Sequence, residues 1–403
     1  MRAHNLPLWE ARLACMFFFM APGLAYGLFV SRVPALTIQV HATAEAFGVV
    51  LLCTGLSAVA GLVAASWFIR RFGAKNVLLI GSALALGAVC ATAFAREVWE
   101  LAAFVLFCGF GMGLLDVAMN VQGVEVERQY ARPSMNLLHA GYNMGAVSGS
   151  LMGSLFAALG QGPMLNFIIP SAVFALTLIW ATPRLLDPDA EHVPMDAPKA
   201  SDDASNASRQ ETRQTHARSA VVPLFVYGWG VLAMISYVVE GASAEWGSLF
   251  LFKEKAAPES IAALIYGTYS VSALTCRLFA DRLRLVIGDK RLMFVGSLVA
   301  VTGLFTMLAA PWWPLSLLGT AVLGMGLAPA VPLIFSHAST FKGVSIEKAT
   351  SVIAMCAYAG LLAFPPVFGF LAQHLGLVMS LSVAELLLAV LAVSSFCLMR
   401  KHR

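Results

Sequence analysis

Long apolar runs, each closed by a short polar break, recur along almost the whole chain. Twelve reach about the 20 residues that a helix needs to cross a bilayer core of ~30 Å. They lie near 11–31, 46–69, 76–95, 100–124, 137–159, 164–182, 222–250, 260–280, 291–310, 314–335, 349–371 and 377–399. The runs are rich in Leu, Ala and Gly and show no period of two, so they predict helices rather than the ~10-residue alternating strands of a membrane barrel. The first run follows Arg2 and Arg12 as a signal peptide would, but no small-residue cleavage site comes after it, and an uncleaved first span is expected. One stretch breaks the pattern. Residues 184–220 hold Pro188, Pro194, Pro198 and a polar run through Ser201–Ser219, with few large apolar side chains. Such a segment buries too little surface to fold and predicts a flexible linker. The expected organisation is therefore an N-terminal six-helix bundle over 1–183, a linker over 184–220 and a C-terminal six-helix bundle over 221–403.

Composition sharpens this reading. Of the 403 residues 59% are hydrophobic and 12% charged, against ~25% charged in ordinary soluble chains. A soluble globule, a disordered chain, a nucleic-acid binder and a secreted disulfide scaffold are all excluded. The seven cysteines sit in or beside apolar runs without CxxC or Cys/His spacing, so free thiols and no metal are expected. Charge distribution sets the orientation. With both termini cytoplasmic, 22 of the 26 Lys and Arg fall in cytoplasmic segments, and only Arg32, Arg96, Lys253 and Lys255 fall outside. The positive-inside rule favours this arrangement, and a missed or extra span would invert every later loop.

The halves also echo one another. Gly111-Met112-Gly113-Leu114 in the fourth span returns as Gly324-Met325-Gly326-Leu327 in the tenth, an offset of 213 residues. The basic loop Arg70-Arg71-Phe72-Gly73-Ala74-Lys75 has a counterpart around Asp281-Arg282, an offset of 211. An all-α membrane protein of twelve helices, with a central linker and a six-plus-six repeat, resembles the major facilitator superfamily. The loop residues Arg71, Gly73 and Lys75, and in the second half Arg277, Asp281 and Arg282, are similar to that family's loop signature, although Ser66 and Arg70 depart from it. The run from Gly111 to Asp116 and Asn120, and Tyr237 to Glu240 in the seventh span, looks like the fucose-permease branch. Ser31-Arg32-Val33-Pro34 departs from that branch, which has an acidic residue late in its first span. The resemblance implies two pseudo-symmetric bundles and secondary active transport across a bacterial inner membrane.

Ionisable residues at bilayer depth are costly and need a reason. Asp116 has no Lys or Arg within eleven residues on either side, and helical spacing places it with Gly109, Gly113, Asn120, Gly123 and Glu127 on one small, polar face. It is the candidate proton-coupling site, with Glu240 second; a hydrogen-bonded structural acid is the alternative. Glu245 reads as interfacial. His139, Tyr142 and Asn143 open the fifth span, Tyr266 and Tyr269 lie in the eighth and Tyr358 in the eleventh, and these with Asn120 are candidate substrate-binding residues. Arg32, Arg71, Lys75, Glu127, Arg128, Arg277, Asp281 and Arg282 are candidate gate charges; Arg32 is expected to pair with an outer carboxylate, with snorkelling to headgroups as its alternative, and ordinary solvated charge is the alternative for the inner ones. Gly141, Gly145, Gly149 and Gly153 form an i+4 ridge suited to close helix packing.

No GxxxxGK[ST] is present, so ATP does not drive transport directly. No GxSxG or His/Asp cluster suggests a membrane enzyme, and no signalling domain suggests a sensor. The expected function is proton-coupled uptake of a small solute, sugar-like among the possibilities, by alternating access; proton-driven efflux of drugs or metabolites is the alternative. The expected partners are the substrate, protons and the lipid bilayer, with no nucleic acid and no cofactor, and the expected state is a monomer.

Overall fold

The computed structural model describes residues 7–130, 134–186, 222–338, 341 and 344–400. The predicted linker lies outside these beyond Leu186. The described residues form fifteen α-helices and no strand. In chain order they are α1 (Leu8–Ser31), α2 (Val33–Gln39), α3 (Ala44–Phe72), α4 (Ala74–Thr92), α5 (Val98–Tyr130), α6 (Met135–Ala158), α7 (Pro163–Ala181), α8 (Leu224–Glu254), α9 (Glu259–Ala262), α10 (Ile265–Ile287), α11 (Asp289–Ala309), α12 (Trp313–Leu327), α13 (Ala330–Ala338), α14 (Ile346–Leu375) and α15 (Leu377–Arg400). The first, second, third and fourth predicted spans are thus α1, α3, α4 and α5. Span eight is α10, and span ten is α12 with α13, interrupted where Pro329 has no N–H to continue the ladder.

Eleven helical segments are long and apolar enough to cross a membrane. The twelfth, α6, has 24 residues but carries His139, Tyr142, Asn143 and a run of Gly and Ser. Its polarity is tolerable because its glycine ridge is shielded by α1. A Cβ at Gly141 would crowd Met16, one at Gly145 would strike the Met20 carbonyl, one at Gly149 would meet Gly27 and Leu28, and one at Gly153 would strike Ser31. The two helices run parallel along this seam, as the predicted ridge requires.

The duplication is plainer in space than in sequence, and its register differs from the GMGL match. Gly109 packs on the Thr54 carbonyl and Ser57 hydroxyl, and Gly324 packs on the Tyr269 carbonyl and Ser272 hydroxyl. Gly111 meets Gly81 and Ala85, while Gly326 meets Gly296 and Ala300. Ser57 donates to Thr54 O at 3.0 Å and Ser272 to Tyr269 O at 2.8 Å. Each of these pairs is separated by 215 residues. So are Gly73 and Gly288, with φ of 81° and 79°, and the left-handed non-glycines His41 and Ala256, with φ of 50° and 49°. At the far end Gln39 clamps the carbonyls of Ala93 and Ala95, and Lys255 clamps those of Leu308 and Ala310. The offsets of 213 and 211 are therefore corrected to 215. GMGL is a chance string shifted by two residues, and Asp281-Arg282 align with Ser66-Trp67 rather than with Arg70-Arg71. What the duplication keeps is the small residue at each helix crossing, since only that contact constrains the chain.

This register makes a prediction. Gly109→Ala and Gly324→Ala should each destabilise the protein by about 1–3 kcal/mol, the usual cost of overpacking. Gly87→Ala, where an added Cβ meets nothing within 4 Å, should leave the thermal midpoint unchanged or slightly raised. Equal midpoints for all three variants would contradict the crossing geometry.

The halves meet mainly through α3 against α14 and α6 against α10. Both contacts are tight at the end away from the chain termini. There Gly48 meets Pro365 and Gly369, and Gly267 meets Ser150.

Candidate functional site

At the end away from the termini the two halves are joined by several contacts. Ser248 donates to the Val30 carbonyl at 2.8 Å, Ala44 N–H donates to Gln373 Oε1 at 3.1 Å, and Phe47 stands edge-on to Trp246 at 5.5 Å. Arg32 is the hub. It is 2% exposed, donates to the Gln161 carbonyl at 2.8 Å and the Gly153 carbonyl at 3.5 Å, and its Nε lies 3.2 Å from Glu259 Oε1. Neither Nε nor Oε1 makes an aligned hydrogen bond, so the pair is a charge contact across the halves without directional locking. Glu259 on α9 was not singled out from the sequence.

The end bearing the termini is different. Arg128 pairs with Glu125 at 2.8 Å, Arg184 with Glu10 at 3.5 Å, and Arg284 with Asp289 at 2.6 Å. Each of these pairs stays within one half. Glu127 accepts the Ser134 and Met135 N–H groups at 2.6 and 2.8 Å, which caps the start of α6. Arg71 lies over the Phe72 ring at 5.6 Å and Arg282 is exposed. Lys75 sits beside the turn at Gly73, and the Asp281 side chain is outside the described ones. Between the halves at this end a cavity of about 540 Å³ opens, lined by His139 and Asn143 of α6, Arg277 and Arg284 of α10, and apolar residues of α10 to α13. Among the described residues the joining contacts gather at one end and the cavity lies at the other.

Tyrosines of both halves gather beyond the cavity. Tyr142 and Tyr266 hydroxyls are 3.4 Å apart, the Tyr26 ring is edge-on to Tyr266 at 5.2 Å, and Tyr266 stacks with Tyr269 at 6.4 Å. Tyr237 stacks on Tyr358 at 6.3 Å. The carboxylates border these tyrosines. Glu240 lies beside the Tyr269 hydroxyl and within the field of Arg277. Asp116 acts on His139 and Tyr142 of α6, Tyr237 of α8 and Tyr358 of α14, so its field spans both halves. Asn120 donates to the Asp116 carbonyl at 2.7 Å and reaches its Oδ1 at 3.5 Å. The fields of Asp116, Glu240 and Arg277 thus reach tyrosines of both halves.

One expectation changes here. Glu245 is not interfacial. Helix α8 runs on to Glu254, which carries Glu245 inward, and Tyr26 donates to its Oε1 at 3.4 Å across the halves. Tyr26 itself carried no sequence signal, because an aromatic in an apolar run reads as core. Among the described residues no cluster of three or more His, Cys, Asp or Glu could hold a metal ion.

The sequence model of the Major Facilitator Superfamily matches residues 13–247. The chain belongs to the Major Facilitator Superfamily. Among curated proteins it is 25% identical over 384 residues to an uncharacterised MFS-type transporter of Yersinia pestis, covering 94% of this chain and 93% of that protein. It is 29% identical over 381 residues to an uncharacterised transporter of Sinorhizobium fredii, covering 93% and 94%. Among solved structures, a point mutant of the nucleoside transporter NupG superposes with a TM-score of 0.73 at 15% identity over 96% of this chain and 99% of that one. A D-xylose–proton symporter gives 0.72 at 14%, over 96% and 97%. At such identities the likeness speaks to the fold, which is that of a superfamily transporter with two six-helix bundles around a central site. The protein is a multi-pass membrane transporter and not an enzyme.

Proposed function

We propose that this superfamily member is a proton-coupled importer of a small polar solute, inward-open in the present structure. Its cavity faces the end that carries the termini, and the positive-inside bias assigns that end to the cytoplasm of a bacterial inner membrane. The observation that carries the reading is the position of Asp116 and Glu240. Both are carboxylates at bilayer depth, and their fields reach tyrosines of both halves. Burial favours a neutral carboxyl and hydration a charged one, so rocking of the halves would load and release a proton. Asn120, His139, Tyr142, Asn143, Tyr266, Tyr269 and Tyr358 supply hydrogen-bonding groups in the same region and suit a hydroxylated solute. Arg32 with Glu259 serves as the outer latch. Glu127, Arg128, Arg71, Lys75 and Arg282 stand at the inner end and serve as its gate charges.

The test is the sign of a proton signal. The protein is reconstituted with its cytoplasmic end facing the lumen, a pH dye is trapped there, and solutes selected by thermal stabilisation are added outside. Uptake by symport acidifies the lumen as solute enters. Luminal alkalinisation would favour the efflux reading, and solute entry without any pH change would exclude coupling. Orientation is checked separately with a cysteine at Ser205, in a background without native cysteines, which should react with impermeant maleimide only in inside-out vesicles.

A further inference from the structure

We propose that the solute is a small organic acid, and that Arg277 holds its anionic group. This rests on the transporter reading above and adds the chemical class of the solute. Three observations carry it.

The first is the sign of the cavity. Among the described residues its lining contains Arg277, Arg284 and His139 and no carboxylate. Arg284 is already committed to Asp289 through two hydrogen bonds of 2.6 and 2.8 Å and to Ser336. Arg277 is exposed to the cavity and, among the described residues, forms no ion pair within 4.0 Å. A guanidinium presented in this way is suited to a carboxylate, which it can grip with two parallel hydrogen bonds.

The second is depth. Cations that obey the positive-inside rule cluster at helix ends and in loops, but Arg277 stands ten residues before the end of α10 at Ile287. At ~1.5 Å per residue that is about 15 Å inside the helix. The apolar span itself ends at Ala280, so Arg277 stands within its last turn, and a charge inside a span marks a pathway or a ligand. The 215-residue register makes the point again, because the equivalent position in the first half is the apolar Leu62. The scaffold is duplicated there and the charge is not.

The third is the shared partner. Arg277 is the cation that acts on Glu240. The other groups in the field of Glu240 are the hydroxyls of Tyr26, Tyr142, Tyr237, Tyr266 and Tyr269, none of them a cation. When a solute carboxylate binds Arg277, Glu240 loses its counter-charge and binds one proton from solution. One anion and one proton are then loaded together, with no net charge added to the site.

The experiment uses the purified full-length protein and matched acid and neutral probes: D-gluconate with D-glucose, L-lactate with L-lactamide, and benzoate with benzamide. Thermal midpoints and isothermal titration are read at a pH where the acids are ionised. Stabilisation confined to acids is expected, with the affinity of the best acid falling roughly tenfold to a hundredfold in Arg277→Gln, as loss of a charge-assisted pair would give. In Glu240→Gln the same acid should bind as well as before or better, and its binding should no longer take up a proton. Neutral probes binding as tightly as their acids, no acid binding at all, or acid affinity unchanged in Arg277→Gln would each overturn the proposal. Should Arg277→Gln not yield monodisperse protein, Arg277→Lys decides: it keeps the charge and loses the fork, so acid affinity should fall, and unchanged affinity overturns the assignment. The two readings fail separately. Proton-driven uptake of a neutral solute sinks the acid class and leaves the importer, whereas acid binding without proton movement sinks the coupling and leaves the acid class.

Discussion

Asp116→Asn is expected to abolish accumulation of solute against its gradient while exchange of internal for external solute continues. Asn is close to Asp in shape and keeps the hydrogen-bonding contact with Asn120, which donates to the Asp116 main-chain carbonyl as well as reaching its side chain. The variant should therefore fold and reach the membrane. What it loses is a titratable group on the axis between the halves, in the field shared with His139, Tyr142, Tyr237 and Tyr358. A carrier without its proton site can still bind solute and rock, but the gradient no longer biases the direction of net movement. The measurement is uptake into proteoliposomes under an imposed proton gradient, beside counterflow with no gradient. Wild-type accumulation by Asp116→Asn would exclude it as the coupling site and direct the same test to Glu240→Gln. Loss of counterflow as well would assign Asp116 to solute binding.

The succession of spans was legible because the bilayer imposes one long apolar period on the chain. Even so, α6 falls short of a membrane span by apolarity and is secured by its glycine ridge against α1, a contact that the i+4 spacing did announce. The repeat was visible but out of register, since duplication preserved small side chains at crossings such as Gly109 and Gly324 and let the intervening residues drift. Of the central residues, Asp116 and Glu240 were legible as carboxylates in apolar surroundings. Tyr26 and Glu259 were not. Tyr26 meets Glu245 across 219 residues of chain, and Arg32 finds Glu259 on a four-residue helix with no pattern of its own. Contacts of that range are fixed by how the two bundles dock, which local periodicity does not encode. Arg277 shows the same limit from the other side. In sequence it belongs to a loop signature, but the 215-residue register and the cavity place it in the site.

Arg32→Met is expected to unseal the outer end. The arginine joins α1 to the α6 end through the Gln161 and Gly153 carbonyls, and to the second half through Glu259. Met fills much of the volume but satisfies none of the three partners. Removing one member of a fully buried pair costs about 3–5 kcal/mol; with Glu259 partly exposed the cost here is smaller, and it falls on the closed outer end. Since Glu259 is partly exposed at 28%, opening that end lets it hydrate, so the balance should move from inward-open toward outward-open. A reporter lies directly behind the seal: Thr54 lines a small enclosed pocket with Tyr26 and Glu245. In a background without native cysteines, Thr54→Cys should resist an impermeant maleimide added outside intact cells, and adding Arg32→Met should speed its labelling by roughly tenfold or more, the ratio that 1.4 kcal/mol already produces. Glu259→Gln should act in the same direction but more weakly, because Arg32 keeps its hold on the Gln161 carbonyl. Labelling of Thr54→Cys at the same rate with and without Arg32 would mean that Arg32 only pins the end of α6 to α1, and that Phe47, Trp246 and the Gly48–Gly369 crossing close the outer mouth by packing.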